Sequence, residues 1–93
     1  MKIYQSKIFE SKIKKFSRQE KAILDEGIKR IKDNPSLGED KKGDLRGVYV
    51  DKFKIKTMQY LISYRMINNA LELIMIGPHE NYYRDLKSYL KRR

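Results

Sequence analysis

The sequence predicts an α+β fold in which two helices precede a three-stranded antiparallel meander and a short helix follows it. Apolar residues recur at helical spacing between residues 6 and 33, whereas apolar and polar residues alternate between residues 48 and 77. Turn signals divide the alternating part into three strands of similar length. At 93 residues, the chain is expected to form one domain, residues 1–93, around a single modest core.

The two predicted helices are expected to form an antiparallel hairpin that covers a sheet, after a short N-terminal strand at residues 2–5. Ser6 can cap the first helix, and Ser17 begins a capping box with Glu20 that opens the second. Pro35 marks the end of the second helix. The apolar positions are Phe9, Ile13 and Phe16 in the first helix and Leu24, Ile28 and Ile31 in the second.

A charged segment with three glycines, residues 36–47, is expected to be one long loop. The strands after it are predicted at residues 48–56, 59–67 and 70–77, with turns at residues 57–58 and 68–69. The second turn, Asn-Asn, is the stronger hairpin signal, because asparagine tolerates a positive φ.

These turns predict which side chains share a face of the meander. The face toward the helical hairpin should carry Phe53, Ile55, Tyr60, Ile62, Tyr64, Met66, Leu71, Leu73 and Met75. The opposite face should carry a cationic half, with Lys52, Lys54 and Lys56, and an apolar half, with Leu61, Ile74 and Ile76. The last helix, residues 80–91, is expected to cover the apolar half, which leaves a basic groove with His79 at its rim.

The charge balance indicates a polyanionic partner. The chain has 22 Lys and Arg against 12 Asp and Glu, a formal net charge of +10, and the basic residues occur in all segments. The folded body should therefore bind nucleic acid or an acidic protein. The chain has no cysteine and one histidine, so neither a disulfide framework nor a metal site nor a cofactor is expected. The absence of a secretion segment or membrane-spanning run predicts a soluble, cytoplasmic protein without membrane contact.

His79 is the candidate acid or base for cleaving RNA without a metal. That reaction takes a proton from a 2′-hydroxyl, neutralises charge on the phosphate and gives a proton to the leaving 5′-oxygen. Imidazole can carry a proton near pH 7, although a histidine at a helix start can equally be a capping or merely exposed residue. Lys54 and Lys56 would bind the phosphate, although alternating strand lysines can also form a solvated face.

Further candidates for substrate binding flank these residues. Arg46 adds to the positive field, and the pattern leaves open whether Lys52 contributes. Either Tyr82 or Tyr83 can stack on a nucleobase while the other anchors the helix, and both can equally be packing residues. Arg84 is either a phosphate clamp or a partner of nearby carboxylates.

The order of elements and four short motifs together resemble the RelE/ParE superfamily of bacterial and archaeal toxins. The motifs are Leu45-Arg46-Gly47, Phe53-Lys54-Ile55-Lys56, Tyr64 near a strand end, and Gly77-Pro78-His79. The resemblance covers nearly the whole chain and implies a RelE-like fold. In the RelE-like branch, it implies an endoribonuclease that enters the ribosomal A site and cuts mRNA. It also implies a cognate acidic antitoxin that covers the basic surface.

The same resemblance implies roles for individual residues. Lys54 and Lys56 correspond to strand lysines implicated in catalysis, and His79 corresponds to a histidine that acts as acid or base. Arg46 matches the basic residue of the Leu-Arg-Gly motif.

The sequence departs from the family pattern in the run from His79 to Leu86 and at one strand position. Leu61 stands where RelE has a phosphate-binding arginine, so that function would fall to Arg84, to Arg65 or to no residue. Two alternatives therefore stay open beside the nuclease. One is a ParE-like inhibitor of DNA gyrase, which would need no catalytic histidine, and the other is a non-catalytic RNA-binding module.

Overall fold

The structure, a computed structural model that describes residues 1–92, is a five-stranded sheet with helices on both faces. In chain order the elements are β1 (Lys2–Gln5), α1 (Lys7–Ile13), α2 (Arg18–Asp33), β2 (Glu39–Asp40), β3 (Tyr49–Ile55), β4 (Met58–Ile67), β5 (Ala70–Pro78) and α3 (Tyr82–Lys91). The strand order is β1-β5-β4-β3-β2. β1 runs parallel to β5, whereas the other neighbours are antiparallel. The predicted α+β fold is confirmed.

α1 and α2 begin at the predicted caps. Ser6 Oγ accepts the Phe9 N–H at 3.1 Å, and Ser17 and Glu20 form both hydrogen bonds of a capping box, at 3.1 and 2.7 Å. The core between these helices and the sheet consists of Phe9, Leu24, Ile31, Ile62, Tyr64, Leu71, Leu73 and Ile76. Local signals therefore predicted this helical layer well.

The segment predicted as one long loop contains a fifth strand. Residues 35–37 and 43–45 form 3₁₀ turns, and β2 between them pairs with β3. The Tyr64 hydroxyl anchors the start of this segment, because it accepts the Gly38 N–H at 2.9 Å and donates to the Pro35 carbonyl at 2.7 Å. The prediction of a loop without a strand is therefore wrong. The sequence did not reveal β2, because two charged residues are too few to show the alternation of apolar and polar residues that indicates a strand.

A β-bulge at Ile74 changes which side chains of β5 face each helical layer. Ser63 pairs with Met75 and Tyr64 pairs with Leu73, which leaves Ile74 without a partner on β4. The Ile74 carbonyl instead accepts the Ser6 hydroxyl at 2.6 Å.

The bulge corrects two face assignments. Met75 packs beneath α3 rather than α1 and α2, and Ile76 joins the core on the helical-hairpin side. The extra residue at Ile74 shifts the alternation of side chains by one position, and a pattern read without that bulge assigns both residues to the wrong face.

The first hairpin turn lies one residue earlier than predicted. Ile55 pairs with Met58, so Lys56 and Thr57 form the turn, and Lys56 has a φ of 59°. The expectation that Lys56 continues the outward row of strand lysines is therefore wrong. The second turn agrees with the prediction, because both of its asparagines have positive φ, 50° and 64°.

The turn places the Lys56 charge near the start of α2. A hydrogen bond from the Ser17 backbone lowers the pKa of the Glu20 carboxyl, and the charge of Lys56 adds to that effect.

The second core lies between the sheet and α3, as predicted. Its buried residues are Leu45, Val48, Val50, Leu61, Ile74, Met75, Tyr82 and Leu86. The helix begins at Tyr82 instead of residue 80, because Asn81 takes a left-handed φ of 59°. No helix within residues 1–92 is long and apolar enough to cross a membrane.

Candidate active site

The strand pairing brings His79 and Lys54 to the same end of the sheet. Lys54 pairs with Gln59, and the next residue, Tyr60, pairs with Pro78, directly before His79. Two strand spacings therefore separate Lys54 from His79, a distance of about 10 Å between their backbones. Both side chains are exposed. An imidazole and an ammonium group are thus exposed at the same end of the sheet.

Tyr82 is a packing residue of the core under α3. Its side chain is 3% exposed, and its hydroxyl donates to the Met75 carbonyl at 2.8 Å and lies 2.9 Å from Ser63 Oγ. The ring packs beside Gly77, where a Cβ would lie 3.6 Å from it, at ordinary van der Waals distance. Burial raises the pKa of the Tyr82 phenol. The candidate role of Tyr82 in base stacking is thus corrected, because a nucleobase cannot reach the ring.

Tyr83, one residue later, lies half-buried among three side chains. The His79 ring approaches edge-on, with 6.4 Å between centroids and an interplanar angle of 82°. The Tyr82 ring lies 5.7 Å away at 85°. Lys41 Nζ lies 4.8 Å from the centroid of the Tyr83 ring, in cation–π geometry.

Lys41 belongs to this site although the sequence pattern did not single it out. It directly follows β2, and its N–H donates to the Val48 carbonyl at 2.9 Å. Its ammonium also forms an ion pair with Glu39 Oε1 at 2.9 Å, and its side chain is 20% exposed. The strand that positions Lys41 has only two residues, so no periodicity could have identified it.

The same ion pair shifts the pKa values of both partners. The hydrogen bond from Lys41 lowers the pKa of the Glu39 carboxyl, and the nearby charge of Lys52 adds to that effect. The hydrogen bond to Glu39 raises the pKa of the Lys41 ammonium. We call the group of Glu39, Lys41, Lys52, Lys54, His79 and Tyr83 the open end of the α3 face.

A family model for the ParE-like toxin of type II bacterial toxin-antitoxin systems matches residues 3–87. The chain belongs to this toxin family. A search of curated proteins finds no match for this ParE-like toxin.

The ParE-like toxin shares its fold with solved structures of Escherichia coli RelE. A free RelE mutant covers 98% of the toxin chain and 95% of its own, with a TM-score of 0.71 and 16% identity. Isolated RelE covers 95% and 97%, with a TM-score of 0.65 and 16% identity. The intact RelBE toxin-antitoxin complex covers 85% and 96%, with a TM-score of 0.67 and 16% identity. At this identity, the likeness shows the fold alone.

The two arginines predicted for the site are both exposed. Arg46 borders the open end, because it lies beside a surface depression that Lys41, Lys42 and Tyr49 also line. Arg84 is exposed and lies 3.4 Å from Asp85 Oδ1, an ion pair of little energetic weight.

Leu61 is fully buried beneath α3, so this position contributes to packing and presents no group to a phosphate. Arg65 forms an ion pair with Glu72, with 2.7 Å between Arg65 Nε and Glu72 Oε1. Within residues 1–92, no cluster of three or more His, Asp or Glu side chains is placed to hold a metal ion.

Proposed function

We propose that this ParE-like toxin is a metal-independent endoribonuclease that cuts mRNA on the ribosome and thereby inhibits translation. One observation carries the proposal: the only histidine of the chain is exposed at the same end of the sheet as Lys54. The net charge of +10 supports an RNA substrate, because binding to phosphates gains strength from many cations.

The reaction would be attack of a 2′-hydroxyl on the adjacent phosphate. The bond from the 2′-oxygen to phosphorus forms while the bond to the 5′-oxygen breaks, which leaves a 2′,3′-cyclic phosphate and a 5′-hydroxyl. His79 transfers a proton in this step, as the base toward the 2′-hydroxyl or as the acid toward the 5′-oxygen. Lys54 stabilises the charge on the phosphate or assists proton removal.

Substrate binding would use the remaining exposed groups of this surface. Lys52 and Arg46 are the proposed phosphate contacts, and Arg84 is a further one if Asp85 releases it. Tyr83 is the aromatic ring that a nucleobase can reach, since Tyr82 is buried. Lys56 takes no part in this proposal, because it lies in the turn after Ile55 and does not continue the row of strand lysines.

The proposed partner that controls the toxin is a cognate antitoxin protein. Membership of a toxin family of type II toxin-antitoxin systems supports it, as does the shared fold with the toxin of the RelBE complex. Its inhibitory segment is proposed to be acidic, because carboxylates would pair with the exposed Lys52 and Lys54.

A second candidate function is inhibition of DNA gyrase. The ParE-like description of the matching family favours it, and so does the burial of Leu61 at the position of the family arginine. A gyrase inhibitor acts by binding, so its action would not depend on the His79 imidazole.

One experiment separates the two functions. Purified toxin is incubated with ribosomes programmed with a defined mRNA, with the same mRNA alone, and with DNA gyrase and supercoiled DNA. Cuts at defined positions with cyclic phosphate ends, lost in His79→Ala, are the expected result. Trapped gyrase cleavage complexes without mRNA cuts would establish the second function instead.

A further inference from the structure

A chain of contacts leads from the edge strand β2 to the candidate catalytic histidine. Glu39 pairs with Lys41 at 2.9 Å, and the Lys41 ammonium lies 4.8 Å from the centroid of the Tyr83 ring. The Tyr83 ring contacts the His79 ring at 6.4 Å. Among residues 1–92, the Tyr83 ring is the only aromatic, ionic or hydrogen-bonding partner of the His79 side chain.

We propose that Lys41, anchored by Glu39, is a positioning residue that holds Tyr83 and through it the His79 imidazole. The effect on catalysis rests on the proposed nuclease function, whereas the positioning itself is a property of the free toxin. Glu39 is the first residue of β2 and Lys41 directly follows this strand, which the antiparallel pairing with β3 holds in place. Tyr83 and His79 belong to α3 and to the segment before it. Lys41 thus links two parts of the chain that β3, β4 and β5 separate.

The position of His79 explains why such support is needed. The residue follows the end of β5 and precedes the left-handed Asn81, and its side chain is exposed. An exposed side chain samples several rotamers, and a catalytic group must be held in one geometry to act efficiently. The Tyr83 ring, when it is held beside His79, restricts the rotamers that the imidazole can adopt.

The surroundings of Lys41 distinguish positioning from direct phosphate binding. Its ammonium already has a carboxylate partner and an aromatic face, and its side chain is only 20% exposed. Lys52 and Lys54 are more exposed and available to a phosphate. A positioning residue should therefore affect the turnover rate more than the binding of substrate.

The first test uses free toxin and no RNA. Because His79 is the only histidine, its two ring C–H signals stand apart in an NMR spectrum. Lys41→Met, which replaces the lysine with an uncharged, unbranched side chain one atom shorter, should shift both signals relative to wild type at the same pH. Lys41→Arg should retain the wild-type positions, and so should the matched control Lys42→Met, which removes the neighbouring exposed lysine. Unchanged His79 signals in a folded Lys41→Met variant would overturn the proposal.

The second test uses mRNA cleavage. Lys41→Met should lower kcat about tenfold through misplacement of the imidazole, with KM within about twofold of wild type and recovery in Lys41→Arg. A raised KM and a weaker salt dependence of binding would instead make Lys41 a phosphate ligand and overturn positioning. If the wild-type toxin cuts no RNA, the proposed nuclease function fails, and the NMR result still decides whether Lys41 positions His79.

Discussion

Tyr82 and Tyr83 are neighbours in the chain but belong to two regions of the toxin with different chemistry. Tyr82 lies in the region covered by α3, where its hydroxyl is satisfied inside the core. Tyr83 lies at the open end, between Lys41 and His79. Successive residues of a helix point about 100° apart, so one step along α3 separates a packing residue from a site residue.

The boundary between the region covered by α3 and the open end also crosses the sheet. Lys52 and Leu61 are paired on adjacent strands, yet Lys52 is exposed and Leu61 is fully buried. α3 therefore covers Leu61 and leaves Lys52 uncovered. Substitutions in the covered region should therefore change stability, and substitutions at the open end should change activity.

The largest expected effect is on activity at the open end. His79→Ala should lower RNA cleavage by about 10²–10⁴-fold, the usual contribution of a general acid or base. The urea midpoint should stay near wild type, because the side chain is exposed. Single-turnover cleavage and urea unfolding measure the two effects. Cleavage within a few-fold of wild type would remove His79 from the mechanism.

The matching change in the covered region is Tyr82→Phe. Loss of the hydroxyl that bonds to the Met75 carbonyl should lower the free energy of unfolding by about 1–2 kcal/mol. Cleavage per folded molecule should not change, because Tyr82 is buried. A variant as stable as wild type but slower in cleavage would reverse the roles assigned to the two tyrosines.

Removal of two lysines tests the charge of the open end. Lys52→Ala with Lys54→Ala should lower the slope of log affinity against log salt for a short single-stranded RNA by about 1.4, if each lysine neutralises one phosphate. The control, Lys29→Ala with Lys32→Ala, removes the same charge from exposed positions of α2. Equal slopes for the two double variants would show that net charge, and not this surface, binds the RNA.

The smallest expected effect is a loss of stability at alkaline pH. Burial raises the pKa of Tyr82 in the folded state above its ordinary value of 10.0. The unfolded chain then loses this proton first, so the stabilisation is complete below pH 10 and is lost as the pH rises toward the folded-state pKa. At pH 11, wild type should have lost about 1 kcal/mol more than Tyr82→Phe, measured by urea unfolding. Parallel losses in both proteins would show that other groups cause the alkaline destabilisation.

Local signals in the sequence were sufficient for the helical layer and for the position of His79. Ser6 and Ser17 cap their helices through bonds to residues three positions away, and the Asn-Asn turn needs only a backbone preference of its own residues. The position of His79 could be predicted because this residue comes directly after an apolar strand. These features depend on nearby residues, and a linear pattern records them.

The tertiary structure alone decided the rest of the site. The bulge at Ile74 exchanged the faces of Met75 and Ile76, and the pairing of β2 with β3 brought Lys41 to Tyr83. The cover of α3 buried Tyr82 and left its neighbour half-exposed. Each of these outcomes depends on contacts between residues far apart in the chain, whose geometry no local periodicity contains.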